Sequence, residues 1–391
     1  MPYIFHSNNY FTLIDSTPKN GTFCKFFSSN YTPKPIQIYP QQLASYDAHM
    51  DLDGKLYVAT MPDAFQLNYY IYEGNRFNRN TLISNTNSNY QLSSPIMYTI
   101  NQTPFITYLS HQTHSTTYNF VQENLHHPHL ITLLTCYSKP SLIKSYKTDN
   151  EVFIFFITYE ESYQLNLLHI NEVNISSSVY LNSTEPITDY SICIENDTIH
   201  ITYVIEFHGK YQLAYFNNHS SQITTLVTTQ YPSNPVVFCY YNMIWINALI
   251  NHKLQMLLSI DNGQTFSQPA PCSLQNNIHR SAFLTHKSST FICQELYASI
   301  ASTLKLCTLA MIDLPRFHTD TMITPELELL LEGLILSRST QETEATHSPY
   351  QNANPYTTPE SVPSPSGTPT LKDAKSAFMN ELTSWDLPPR V

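Results

Sequence analysis

Repeated four-stranded units arranged as a β-propeller are the fold that this 391-residue sequence predicts. Three observations lead there. Strand-like runs end in an asparagine or an acidic turn at near-constant spacing. A second family of β-rich runs keeps the same period just upstream. Hairpin signals separate the two.

The first register comprises FCKFFSSN ending at Asn30, LNYYIYEGN at Asn75, TTYNFVQEN at Asn124 and YQLNLLHIN at Asn171. It continues with YQLAYFNN at Asn218, LQMLLSIDN at Asn262 and LKLCTLAMID at Asp313, so the separations are 45, 49, 47, 47, 44 and 51 residues. The second register comprises LYVAT from Leu56, FITYLS from Phe105, FIFFITY from Phe153, IHITYV from Ile199, IWINAL from Ile244 and FICQEL from Phe291. Ile-Thr-Tyr recurs at 106, 157 and 201. Before each of these lies a further strand and a turn, as in MDLDGKLYV, where Asp53-Gly54 is a strong hairpin signal. After each asparagine comes a fourth short run: TLISN, LITLLT, SSSVYL and ITTLVTT.

Four strands in about 45 residues is one propeller blade. Seven units fit, starting near residues 1, 43, 92, 138, 184, 232 and 277. A six-bladed ring with an added N-terminal hairpin is the nearest competitor. A pair of β-sandwiches would also show frequent strands, but would not hold one repeat over seven units. The propeller is assigned to 1–323.

Composition removes several function classes. Charged residues make up only 13%, net charge is -11, and the basic residues are scattered. Capture of a phosphate backbone needs a clustered basic face, so no nucleic-acid partner is expected. Seven glycines and no GxGxxG or Walker run leave no phosphate loop, and no cofactor is expected. MPYIFHSNNYFTLIDS has no basic segment followed by an apolar one, and no apolar run approaches the roughly 18 residues of a membrane span. The seven cysteines form no CxxC pair and read as reduced, buried thiols of a cytoplasmic protein, with no metal expected.

SIDNGQTFS at 259–267 is the most patterned stretch. An aspartate can accept hydrogen bonds from turn amides, a glycine can take positive φ, and an aromatic can pack back under the turn. Ser259, Asp261, Gly263, Thr265 and Phe266 follow the order of the Asp-box, or BNR, repeat, and the chain resembles the sialidase-like propeller superfamily in this motif. YEGNRF at 72–77 and HINEVN at 169–174 are decayed versions. The resemblance implies a blade-folding turn on the rim opposite the active-site mouth.

Sialidase chemistry is not implied. Those enzymes clamp a carboxylate with three arginines, and this chain has six in all: 76, 79, 280, 316, 338 and 390. Arg76 and Arg79 fall in a strand 3–4 turn on the wrong rim, and Arg338 and Arg390 lie beyond the propeller, which leaves Arg280 and Arg316. Asp47, Asp51, Asp189 and Glu295 lie on or near first or second strands and, with Arg280, are the candidate channel-mouth contacts. Carboxylates at strand ends more often form turns. No residue is assigned as catalytic.

His126, His127 and His129 in ENLHHPHL lack a cysteine or carboxylate partner in sequence and read as a solvated loop. Tyr98, Tyr108, Tyr159, Tyr190 and Tyr203 recur on inner strands and read as core packing.

Beyond Pro315 the composition changes. TPELELLLEGLILSR opens with Thr324 as N-cap, Pro325 at the first helical position and acidic residues in the first turn, predicting a helix over 324–339 packed on the propeller. Prolines at 349, 355, 359, 363, 365 and 369 among Ser, Thr and Asn predict a disordered linker over 340–369. In 370–391 an amphipathic helix is expected, with Leu371, Ala374, Phe378, Leu382 and Trp385 as one apolar stripe.

A short helix on a long tether suits docking on a protein partner, and folding back onto the propeller is the alternative. Two functional readings stay open. One is a non-catalytic platform for a protein, peptide or glycan ligand. The other is a divergent glycan-acting hydrolase of the sialidase-like superfamily.

Overall fold

The computed structural model describes residues 1–307 except 8–9, 28–33, 85–88, 196, 241–242, 273, 275–276, 286–290 and 301–303. The expected helices over 324–339 and 370–391, the linker over 340–369, and Arg316, Arg338 and Arg390 lie outside the described residues.

Every regular element among the described residues is a strand, and the strands form meanders in chain order. The first sheet runs β1 (Tyr3–Ser7), β2 (Tyr10–Thr17), β3 (Gly21–Phe27) and β4 (Ile36–Tyr39). The second is β5 (Ser45–Met50), β6 (Leu56–Asp63), β7 (Gln66–Glu73) and β8 (Arg76–Ser84). The third is β9 (Tyr90–Ile100), β10 (Thr103–Gln112), β11 (Tyr118–Asn124) and β12 (Leu130–Cys136). The fourth is β13 (Ser141–Lys147), β14 (Glu151–Tyr159), β15 (Tyr163–Asn171) and β16 (Ile175–Ser183).

The fifth sheet is β17 (Ile187–Glu195), β18 (Thr198–Phe207), β19 (Lys210–Asn217) and β20 (Ser220–Thr229). The sixth is β21 (Val236–Tyr240), β22 (Met243–Ile250), β23 (Lys253–Ser259) and β24 (Ala270–Pro271). Next, β25 (Ile278–Thr285) lies parallel to β1, pairing Tyr3 with Ala282 and His6 with Thr285. The short β26 (Phe291–Ile292) adds to β21, and β27 (Glu295–Ile300) and β28 (Leu304–Leu306) continue outward from β25.

Packing closes these sheets into a ring. Ala48 and Val58 of sheet two meet Phe5 and Ile14 of sheet one. Ala59 and Leu67, on the other face of sheet two, meet Met97 and Ile106 of sheet three. Tyr98 and Phe120 pack on Ile154 and Phe156, and Phe155 and Ile157 pack on Tyr190 and Ile201. Val204 and Tyr215 then meet Val237 and Ile246, and Phe238 and Trp245 join Ile4 and Phe283 to complete the circuit. This succession of four-stranded meanders packed face to face is β-propeller architecture.

It also explains the sequence pattern. Middle strands are buried on both faces, so LYVATM and IFFIT are nearly continuous apolar runs rather than alternating ones. The outermost strands are covered on neither side to the same degree, and β16 reads ISSSVYLNS with five successive exposed residues.

With few glycines, tight hairpins are made by other residues that accept the left-handed region. Asn101 and Gln102 (φ 49° and 64°) join β9 to β10, and Asn251 and His252 (φ 51° and 64°) join β22 to β23. Positive φ at both central positions is the type I′ pattern matched to strand twist.

The asparagine period has a second cause. Asn124 Oδ1 accepts the amides of His126 and His127 at 2.9 and 3.0 Å, and Asn171 Oδ1 those of Val173 and Asn174 at 3.0 and 2.7 Å. Asn217, one residue before the expected Asn218, does the same for His219 and Ser220. Each is an Asx turn between third and fourth strands.

Candidate functional site

The first strands of sheets one to five, together with β25 and β27, converge on a cavity of about 210 Å³. Tyr3, Tyr46, Asp47, Lys144, Lys147 and Glu295 are among its lining residues. Two ionic clusters flank it, the first buried and the second largely so.

In the first cluster, Asp47 Oδ2 accepts Lys147 Nζ at 2.5 Å and the Met97 amide at 2.5 Å. Lys147 also donates to Ala48 O at 3.2 Å and lies 5.8 Å from the centre of the Tyr3 ring. The Tyr3 ring meets that of Tyr46 edge-on at 5.6 Å. Burial lowers the Lys147 pKa, and the Asp47 carboxylate opposes that shift. Lys147 sits in sheet four and Asp47 in sheet two, so their pair spans the ring past sheet three.

In the second cluster, Arg280 on β25 donates from Nη1 to Asp189 at 2.6 Å and from Nη2 to Glu295 at 2.5 Å and Tyr190 O at 2.6 Å. Lys144 on β13 bridges the same carboxylates, at 3.0 Å to Asp189 and 3.5 Å to Glu295, and also bonds Tyr190 O. Ser191 Oγ donates to Glu295 at 2.7 Å. Burial resists ionisation of both carboxyls. The charges outweigh it: Lys144 and Arg280 hold Asp189 below its ordinary range, and Arg280 and Lys144 do so for Glu295. Burial, followed by the Arg280 charge, pulls Lys144 down.

The two clusters contain three carboxylates (Asp47, Asp189, Glu295) and three cations (Lys144, Lys147, Arg280), so they are formally neutral. Buried charges persist when paired and hydrogen-bonded, and these are.

The structure therefore brings Asp47, Asp189, Arg280 and Glu295 to one region, with Asp47 and Glu295 on the cavity wall and Asp189 and Arg280 behind it. Asp51 is elsewhere. Strand β5 ends at Met50, and Asp51 Oδ1 accepts the Lys55 amide at 2.8 Å inside the hairpin turn. Its carboxylate is spent on the turn rather than the cavity.

Lys144 and Lys147 were not singled out by the sequence, because a lysine in SLIKSYK reads as solvated. The available signal was two lysines in a first strand, where other units carry apolar or acidic residues. Four of the five recurring tyrosines (Tyr98, Tyr108, Tyr190, Tyr203) are buried as expected, but Tyr159 at the end of β14 is 55% exposed.

SIDNGQTFS lies away from the cavity, between β23 and β24. Ser259 Oγ donates to Asp261 Oδ1 at 2.8 Å and accepts the Gly263 amide at 2.8 Å. Asp261 also accepts the Thr265 amide at 2.9 Å and the Thr265 hydroxyl at 2.6 Å. Gly263 has φ 85°, and an added Cβ would stand 2.3 Å from the Tyr215 ring. Phe266 packs edge-on against that same ring at 4.9 Å. Those partners are all internal to the turn or to the neighbouring sheet.

The cysteines are buried, and burial pushes the Cys136 thiol up to about 11 and the Cys293 thiol well above its ordinary value. No helix among the described residues is long and apolar enough to cross a membrane.

No family model matches the chain, and no curated relative does. Among solved structures it is similar to a mutant of the Aleuria aurantia lectin in complex with alpha-methyl-L-fucoside, at 9% identity and TM-score 0.41, over 68% of this chain and 92% of that one. It is also similar to a mutant of AofleA from Arthrobotrys oligospora, at 9% identity and TM-score 0.43, over 66% and 83%. A third is the SapL1 lectin in complex with alpha methyl fucoside, at 7% identity and TM-score 0.40, over 68% and 95%.

Proposed function

We propose that the chain is a non-catalytic propeller that binds its ligand at the central cavity. One observation carries this reading: the carboxylates flanking the cavity are each paired with a lysine or arginine. A glycosidase needs one carboxyl group kept protonated at working pH to donate to the leaving oxygen. Asp189 and Glu295 are shifted the opposite way, toward permanent ionisation.

The cavity's size limits the ligand. At about 210 Å³ it lies below the roughly 300–1,000 Å³ of a pocket that swallows a drug-sized molecule. The ligand accordingly presents one small group, a single sugar ring of a glycan or one side chain of a peptide. Tyr3 and Tyr46 offer ring surface for it, and Asp47, Lys144 and Lys147 offer polar contacts.

Further features belong to the same proposal. The ring counts seven units, with β25, β27 and β28 forming the last, which shares a sheet with the first through β25 and β1. The Ser259, Asp261 and Thr265 hydrogen bonds of the 259–267 turn support reading it as an Asp-box of the sialidase-like kind, kept as scaffold without that superfamily's chemistry. The stripe Leu371, Phe378, Leu382 and Trp385, on its Pro-rich tether, docks a protein partner.

The experiment is a binding screen against glycan and peptide panels, run beside hydrolysis assays on aryl glycosides and sialosides. Binding that is lost in Tyr46→Ala, without turnover of any substrate, is the expected result. Turnover abolished by Glu295→Gln would overturn it.

A further inference from the structure

Away from the cavity, sheets five and six bring a set of soft and nitrogenous donors together. Cys193 and Glu195 lie on β17, His200 on β18 and Cys239 on β21. Cys193 and His200 are direct cross-strand partners, and Glu195, two residues beyond Cys193, shares its face. Cys239 reaches them from the opposing sheet, within the apolar layer that joins the two.

The distances are short. A Glu195 oxygen, a His200 ring nitrogen and Cys239 Sγ lie within 4.8 Å of one another. Cys193 Sγ is 3.5 Å from Cys239 Sγ. Two sulfurs on one tetrahedral zinc at about 2.3 Å each stand about 3.8 Å apart. The thiols are already at nearly that separation.

The imidazole gives an independent sign. His200 is 3% exposed, and its Nδ1 is held by the Tyr215 hydroxyl at 2.7 Å, which in turn accepts Asn217 Nδ2 at 3.3 Å. Its Nε2 is buried without a hydrogen-bond partner. Buried polar atoms are rarely left so, and this one is the nitrogen that a ligating histidine offers when its other nitrogen is fixed by a neighbour.

We propose that Glu195, His200 and Cys239, with Cys193 closing in beside Cys239 as the fourth ligand, form a zinc site that staples sheet five to sheet six. Thiolate and imidazole donors select Zn²⁺ over Mg²⁺ or Ca²⁺, and four protein ligands, three of them buried and Glu195 half-buried, make a structural site rather than a catalytic one. Binding displaces one proton from each thiol into solvent, and the carboxylate and imidazole bind as they stand. Tyr215 is a positioning residue that sets the ring's orientation through Nδ1.

The test uses the full chain, reduced and stripped with a chelator, and titrated with Co²⁺ and then Zn²⁺. One equivalent of Co²⁺ should give tetrahedral visible bands with a thiolate-to-cobalt charge-transfer band, and Zn²⁺ should displace it. Cys239→Ser and His200→Gln should lose the charge-transfer intensity or the tetrahedral bands. Cys272→Ser, which alters a separate thiol pair 3.2 Å apart with Cys307, should keep both. Tyr215→Phe should weaken Zn²⁺ binding by about 10- to 100-fold while leaving the stoichiometry at one.

The wild-type titration decides by itself if a variant fails to fold. Absence of thiolate charge transfer in the wild-type chain overturns the proposal. So does a charge-transfer band of undiminished intensity in Cys239→Ser, or a Cys193–Cys239 disulfide as the form that persists after reduction.

Discussion

Replacing Arg280 with methionine removes the cation that makes the most contacts in the second cluster. In the native chain its guanidinium donates to Asp189, Glu295 and Tyr190 O at 2.5–2.6 Å. Afterwards Asp189 keeps Lys144 at 3.0 Å and the Tyr190 amide at 2.7 Å, and Glu295 keeps Ser191 at 2.7 Å and Lys144 at 3.5 Å. Two buried carboxylates then share one ammonium, and the local charge of Asp189, Glu295, Lys144 and residue 280 goes from zero to -1.

Orphaning one member of a buried ionic cluster costs about 3–5 kcal/mol at pH 7. The pH dependence follows from the signs. Native Asp189 and Glu295 have depressed pKa values, so their contribution is present above the ordinary range near about 4 and lost as pH falls through the depressed values. In the variant, burial is no longer outweighed and a carboxyl pKa rises above the ordinary range. The variant then loses stability as pH rises through that value. Its deficit should be full at pH 7 and shrink toward pH 4.5. Urea unfolding followed by the buried Trp245 measures both. A deficit under about 1 kcal/mol at pH 7, or one equal at both pH values, refutes the reasoning. Adding Glu295→Gln should recover part of the loss, since residues in one network couple by about 0.5–3 kcal/mol.

Gly263→Ala places a methyl 2.3 Å from the Tyr215 ring at φ 85°, whereas Gly74→Ala at φ 59° meets nothing within 4 Å. Thermal and urea unfolding should show a loss of about 2–4 kcal/mol for the first and about 1–2 kcal/mol for the second, and equal losses would remove the packing argument. Limited proteolysis should cut first between residues 340 and 369 and leave a resistant core ending near 338. A dominant early cut inside 43–315 would instead mean separable domains.

The fold was legible because propeller physics writes itself into sequence with a period. Middle strands buried on both faces yield runs such as FIFFITY, and Asx turns after third strands yield asparagines at 124 and 171. The cavity was legible in part. Asp47, Asp189, Arg280 and Glu295 were marked by being charged on strands otherwise apolar. Asp51 was marked by the same logic and misplaced, because strand β5 stops one residue short of it and the carboxylate caps a turn.

Lys144 and Lys147 were hidden by their alternation. Three residues apart on one strand, they leave opposite faces, one toward Asp189 in sheet five and the other across the ring to Asp47. The Glu195, His200 and Cys239 cluster was not legible in the sequence, which led to an expectation of no metal. Its members are separated by 5 and 39 residues and meet only when two sheets pack, so no spacing rule could find them.

The central claim is that the cavity's carboxyls are ionised partners of buried cations and not acids. Carbon-detected NMR titration of the Asp and Glu side-chain carboxyls, with Asp189→Asn and Glu295→Gln to assign the two resonances, measures that directly. Both should titrate below the ordinary carboxylate range of about 4. A midpoint near or above pH 6 for either one would give the ring the protonated acid a glycoside hydrolase requires, and would contradict the assignment as a binding platform.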